Sequence, residues 1–155
     1  MTEVRVGVVD VCVVRVVGRA WRVLALRRAP DAIRPGSWEF VHGRIDKGEK
    51  PARAARRELR EETGLSTEKL YSITVNPFYL IASDTVQVAI VFAAIVGSDA
   101  VTIGEEHDRY EWLSVAAACN RFTWPRDAES LRQARLLLKS GDAGVVEDVL
   151  RVENC

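Results

Sequence analysis

The chain opens on β-branched runs separated by breaks. Residues 3–17, EVRVGVVDVCVVRVV, are rich in valine with no helical period, which predicts a largely buried strand. Gly18-Arg19 permits a tight turn into a second strand, AWRVLALRR (20–28), that ends on paired arginines. Two prolines and a glycine make 29–36 a loop. SWEFVHG (37–43) then alternates, with Trp38, Phe40 and His42 on one face and Glu39 and Val41 on the other. A turn rich in glycine and charge covers 43–50. Pro51 suits the first turn of a helix that runs to about Thr63, where Gly64 supplies the stop.

Strands are expected around 70–82 and 85–97, joined at Ser83-Asp84. A loop follows through GEEHDR (104–109), then a short strand YEWL (110–113) and a helical SVAAACNR (114–121). DAESLRQARLLLKS (127–140) reads as an amphipathic helix ended by Gly141. There is no internal repeat, low-complexity tract or interdomain linker. Strands outnumber helices and a long helix lies between them, so the expected fold is an α/β (α+β) sandwich, one domain over 1–155.

A chain of 155 residues, 48% hydrophobic and 28% charged, can bury a real core and carries no signature of disorder. Lys+Arg and Asp+Glu are both 22, so no global field recruits a nucleic acid polymer or an anionic membrane, and an anionic ligand must be held locally. No apolar run approaches the roughly 20 residues that span a bilayer. MTEVRVGVVD reads as a strand rather than a secretion signal. Cys12, Cys119 and Cys155 are odd in number and dispersed, without Cys/His metal spacing. They are expected to be reduced thiols of a cytoplasmic protein, Cys12 within a strand and Cys155 on a tail.

Against this neutral background one stretch is unusual. RRELREETGL (56–65) places Glu58, Glu61 and Glu62 within five positions of one helix. At about 100° per residue Ala52, Ala55 and Leu59 form a packing face, and the three glutamates gather along an edge roughly 100° around from it. Carboxylate oxygens on a rigid element suit Mg²⁺ or Mn²⁺. Mg²⁺ takes few carboxylates, keeps waters and completes its shell with substrate phosphates, so the pattern points to phosphate chemistry. Arg57 lies on a different azimuth, from which it can reach back toward Glu49.

GRIDKGEKPARAARRELREETGL (43–65) resembles the Nudix box of the Nudix hydrolases: Gly, five residues, Glu, seven residues, then Arg-Glu-aliphatic-any-Glu-Glu-any-Gly-aliphatic. Gly43, Glu49, Arg57, Glu58, Leu59, Glu61, Glu62, Gly64 and Leu65 match it without departure. The resemblance implies an αβα sandwich, a mixed sheet flanked by helices. It implies that Glu58, Glu61 and Glu62 hold divalent metal, that Gly43 offers its carbonyl, and that a Glu49–Arg57 ion pair orients the catalytic helix. Outside the box, EEHDRYEWLS (105–114) is similar to a segment of two subfamilies. These are the dihydroneopterin triphosphate and (deoxy)nucleoside triphosphate pyrophosphohydrolases and the dinucleoside tetraphosphate hydrolases. The glutamate they use as a further metal ligand or base maps to Glu106. FTWPRDAESL (122–131) is similar to the first group around Trp124.

The substrate expected on these grounds is a nucleoside or pterin triphosphate, cut to a monophosphate and pyrophosphate with Mg²⁺, for which Mn²⁺ can substitute. A diadenosine tetraphosphate hydrolase and a non-catalytic nucleotide-sensing module are the alternatives. Arg27 and Arg28 are candidates for terminal phosphates, and Trp38 and Trp124 for stacking a base or pterin. Phe78 and Tyr79 are weaker candidates of that kind. His42 and His107 are read as positioning or surface residues. Whether the chain is a monomer or a homodimer is open.

Overall fold

The valine-rich opening forms one long strand, β1 (Glu3–Val17), whose middle is buried on both faces. The computed structural model describes residues 1–153, so Cys155 lies outside the described residues. Val9, Val11 and Val13 face one layer, Cys12 and Val14 the other. A strand covered on both sides is apolar along its buried middle, here apart from Asp10, which is why no polar alternation marks it.

The sheet grows outward from β1. At Gly18, φ +64°, the chain turns back as β2 (Ala20–Arg28), antiparallel to the C-terminal part of β1. β3 (Trp38–Glu39) pairs with the end of β2, and β4 (Val41–Arg44) pairs with residues 8–11 of β1. β5 (Lys69–Leu80) and β6 (Thr85–Ile95) form a hairpin, and β6 lies parallel to β1. β7 (His107–Leu113) pairs with the other edge of β2. Helix α1 (Pro51–Thr63) packs Ala54, Ala55 and Leu59 on Val9, Val11, Val13, Leu24 and Leu26. α2 (Val115–Arg121) and α3 (Pro125–Leu137) cover the opposite face through Ala118, Leu131 and Ala134. A short α4 (Glu147–Leu150) follows. The result is the expected mixed sheet between helical layers, with seven strands among the described residues.

Four boundaries differ from the sequence reading, each for a local reason. The alternating SWEFVHG run is two strands, because Phe40 lies between the piece paired with β2 and the piece paired with β1. Its face assignment holds: Trp38 and Phe40 pack toward α2 and α3, Val41 toward α1. α3 begins at Pro125 rather than Asp127, proline being well suited to the first helical position, and it ends at Leu137. The β5–β6 connection spans 81–84, with Asp84 at φ +47°. β7 starts at His107, inside the segment expected as loop.

Candidate active site

α1 carries the carboxylates, and its ends are well defined. Pro51 occupies the first turn, and Gly64 at φ +73° closes the helix through its N–H on the Arg60 carbonyl. Glu62, three residues after the buried Leu59, is carried to the inner border of the helix and is 6% exposed. Glu61 stays exposed, and the Glu58 side chain is 13% exposed. Burial raises the Glu62 carboxyl to a pKa of about 9, and the nearby Glu39, Glu58 and Glu106 push it the same way. Its Oε2 accepts a 3.4 Å hydrogen bond from the His42 N–H. Burial raises Glu58 as well, against the opposing Arg57.

Gly43, at the end of β4, lies directly under Glu58. A Cβ at this position would stand 2.0 Å from Glu58 Cδ, so only glycine lets the strand approach the helix this closely. Arg57 organises the surrounding charge. Its Nε and Nη2 donate to Glu49 Oε2 and Oε1, both at 2.9 Å, and Nη2 also donates to the Arg44 carbonyl at 2.8 Å. Nη1 donates to Glu58 at 2.8 Å and to Glu61 at 3.3 Å. The Arg57 hydrogen bonds, with one from the Asp46 N–H, hold Glu49 down at a pKa of about 2. The pair that ties the box loop to the helix is therefore present.

A cavity of about 180 Å³ opens beside the helix, lined by Glu58, Glu61, Glu62, Gly104, Glu105, Glu106 and His107. The fold thus brings the 104–107 segment, far away in the chain, to the helix edge. Both Glu105 and Glu106 line the cavity, and Glu106 bears on the charge of Glu58 and Glu62. Among the described residues no three acidic, cysteine or histidine side chains are already drawn together around a single point. The donor set nonetheless fits a hard divalent cation. Several carboxylates face one another, the most buried is driven toward its protonated form, and only Arg57 offsets Glu58 and Glu61.

A second, open cleft of about 510 Å³ is lined by Arg27, Arg28, Pro30, Pro35, Gly36, Trp38 and Asp108, the last of which follows His107 in β7. Trp38 carries the Arg121 guanidinium 4.7 Å from its ring centre and that of Arg27 at 6.0 Å. Arg27 is bidentate to Asp108, at 2.8 and 3.0 Å, yet its side chain remains 34% exposed. Trp124 does not line the cleft: its neighbour Thr123 exchanges two hydrogen bonds with Trp38, while the Trp124 ring itself lies against Arg126. Arg28 behaves differently from its neighbour and corrects the sequence expectation. Its side chain is buried, its Nη1 donates to Glu39 at 2.9 Å, and its Nε donates to the Ile33 carbonyl. The guanidinium holds the protein together here rather than reaching for a phosphate.

Several residues of this region escaped the sequence. Glu39, 5% exposed, accepts from both Arg28 and His107. Burial alone would raise its pKa, but these two donors outweigh that and lower it. Asp10 faces His42 across β1 and β4, with Nδ1 and Oδ1 2.5 Å apart. Asp127 is buried at the start of α3, and burial with the nearby Asp10 raises it to about 8. Arg126 lies 4.6 Å from the ring centres of both Phe78 and Trp124. An acidic residue in the middle of a valine strand was the one available signal, at Asp10.

A mixed sheet between helical layers thus carries a carboxylate cluster on one helix edge and an arginine- and tryptophan-lined cleft. The chain belongs to the Nudix family: the family model described as NUDIX domain matches residues 5–134. Among curated proteins, an octanoyltransferase of Myxococcus xanthus is 38% identical over 131 residues, covering 81% of this chain and 36% of that protein. The chain spans about a third of the length of the curated relatives it matches. Two solved structures share the fold. An Ap4A hydrolase binary complex of C. elegans has a TM-score of 0.71 at 19% identity, covering 86% of this chain and 97% of that one. The dihydroneopterin triphosphate pyrophosphohydrolase of E. coli has 0.67 at 21%, with the same coverages. The family that the box pointed to and the sandwich it implied are both correct. No helix among the described residues is long and apolar enough to cross a membrane.

Proposed function

We propose that this Nudix hydrolase is a cytoplasmic, Mg²⁺-dependent pyrophosphohydrolase that cuts a nucleoside or pterin triphosphate to the monophosphate and pyrophosphate. The observation that carries the reading is the carboxylate cavity on α1, together with a cleft bearing Arg27 and Trp38 that is joined to it in the chain through His107 and Asp108 of β7. Glu58, Glu61, Glu62, Glu106 and the Gly43 carbonyl would hold the metal. Bound there, Mg²⁺ or Mn²⁺ neutralises phosphate charge and acidifies water. Arg27 attracts the phosphate chain, and Trp38 or Trp124 offers a flat surface to the base or pterin. If Glu106 serves as the base rather than as a metal ligand, it takes the proton of the attacking water as the water oxygen adds to phosphorus. The phosphoric anhydride bond breaks and pyrophosphate leaves with the electron pair. Arg57 keeps Glu58 and Glu61 oriented throughout. The free Cys12 and Cys119 support a reducing compartment.

The test is a substrate panel with Mg²⁺, scored by released products. A dNTP or dihydroneopterin triphosphate should exceed diadenosine tetraphosphate in kcat/KM, with pyrophosphate as a product. The reverse order, with ATP plus AMP as products, assigns the chain to dinucleoside tetraphosphates. Nucleotide binding with no product of any kind makes it a sensing module.

A further inference from the structure

We propose that Arg28, Glu39 and His107 form a buried positioning chain that sets the reach of Glu106 over the carboxylates of α1. The inference rests on the hydrolase reading above but concerns residues outside the box.

Three observations carry it. First, Glu39 Oε1 is shared: Arg28 Nη1 lies 2.9 Å away and His107 Nε2 lies 2.9 Å away. The Arg28, Glu39 and His107 side chains are 10%, 6% and 0% exposed, so the chain is screened from water along its length. Because a carboxylate can only accept, His107 Nε2 must carry the proton, which sets both the tautomer and the ring orientation. Second, the residue preceding this ring is Glu106, whose carbonyl accepts from the Ala29 N–H at 2.9 Å. Arg28 and Ala29 thus grip the Glu106–His107 dipeptide from the end of β2. Third, the β2–β7 register shifts here: Arg27 faces Arg109, but Arg28 faces His107, so Asp108 is an extra residue. Such a bulge re-aims the side chains beside it. Asp108 turns out to Arg27, while His107 turns in and lines the cavity with Glu106. His107 Nδ1 is buried with no partner, a cost that a ring serving only to fill space would not need to carry.

An isolated ion pair would not require this geometry. The pair Arg28–Glu39 is complete without His107, and a hydrophobic residue at 107 would fill the same volume without an orphan nitrogen. What the histidine adds is a fixed link between β3 and the residue adjoining Glu106.

The test compares His107→Leu, His107→Gln, Glu106→Gln and the double variant His107→Leu/Glu106→Gln with the unchanged protein. Turnover and the affinity for Mn²⁺ alone, by electron paramagnetic resonance, are both measured. In whichever property Glu106→Gln alters, His107→Leu should lose about tenfold or more, with KM within about twofold. The double variant should match Glu106→Gln alone, because His107 acts through Glu106. His107→Gln, which keeps a donor for Glu39, should recover most of the loss. Multiplicative losses in the double variant, a wild-type-like His107→Leu, or a Glu106→Gln with no effect would each overturn the proposal. If His107→Leu does not melt cooperatively, Glu39→Gln replaces it in the same comparison and must show the same non-additivity. Absence of turnover in the unchanged protein counts against the hydrolase reading, whereas the Mn²⁺ measurement still judges this one.

Discussion

At the scale of single residues, burial decides which acid does what. Glu61 and Glu62 are neighbours in sequence, yet one is solvated and the other is 6% exposed and driven to about 9. Glu62→Gln keeps the volume and removes the charge, so kcat should fall by at least about a hundredfold while the melting temperature does not fall. Glu68→Gln, on an exposed residue outside the cavity, should leave turnover unchanged. Steady-state kinetics on both variants checks this, and equal losses would refute a special place for Glu62. Gly43→Ala is a steric counterpart: its methyl would enter the space of the Glu58 carboxylate. It should therefore lower turnover as severely as a change to Glu58 itself. Asp127 gives a test in pH. Its folded pKa, about 8, lies above the unfolded value, so its contribution to stability is complete below about 4 and is lost as pH rises through 8. Asp127→Asn cannot ionise and should flatten that decline. Urea midpoints at pH 5 and pH 9 should show the variant gaining on the parent at the higher pH.

At the scale of elements, the site is a helix edge held against a strand end by one guanidinium. Arg57 makes two bonds to Glu49, one each to Glu58 and Glu61, and one to the Arg44 carbonyl. Lysine offers a point charge without the fork and cannot serve the loop and the helix together. Arg57→Lys should lower kcat and weaken Mn²⁺ binding by about ten- to a hundredfold, with little change in melting temperature because its partners are partly solvated. A loss of melting temperature with unaltered Mn²⁺ affinity would mean that Arg57 stabilises the loop alone. This element was also the most legible part of the chain, because helix period, proline start and glycine stop are local signals. The cleft was less so. Arg27 and Arg28 read alike as a paired surface cation, but the bulge at Asp108 and the buried Glu39 turn one outward and one inward. Those determinants lie some 80 and 11 residues away in the chain.

At the scale of the whole molecule, the two halves of the site come from separate stretches of the sequence. The box contributes the helix, and the 104–107 segment closes over it only because β7 pairs with β2. The sheet order could not be read from strand periodicity, since β1 is apolar on both faces and favours no neighbour. The resemblance to the Nudix family supplied the sandwich and the mixed sheet, but not that order. One consequence is global. In the metal-free protein the carboxylates around Glu62 repel one another, and folding holds them together against that repulsion. A cation that binds only the folded arrangement should therefore raise stability by mass action, about 2.7 kcal/mol at a hundred times its Kd. Thermal melts with increasing Mg²⁺ or Mn²⁺ should show a saturable rise in melting temperature that EDTA reverses, and turnover should rise over the same concentrations. Ca²⁺ at equal ionic strength separates ligation from screening. A general charge effect would give one curve for every divalent ion, whereas a built site should rank them and lose its response in Glu62→Gln. If Glu62→Gln melts higher without metal than the parent does, and no longer responds to Mg²⁺, repulsion and binding are located in the same carboxylates.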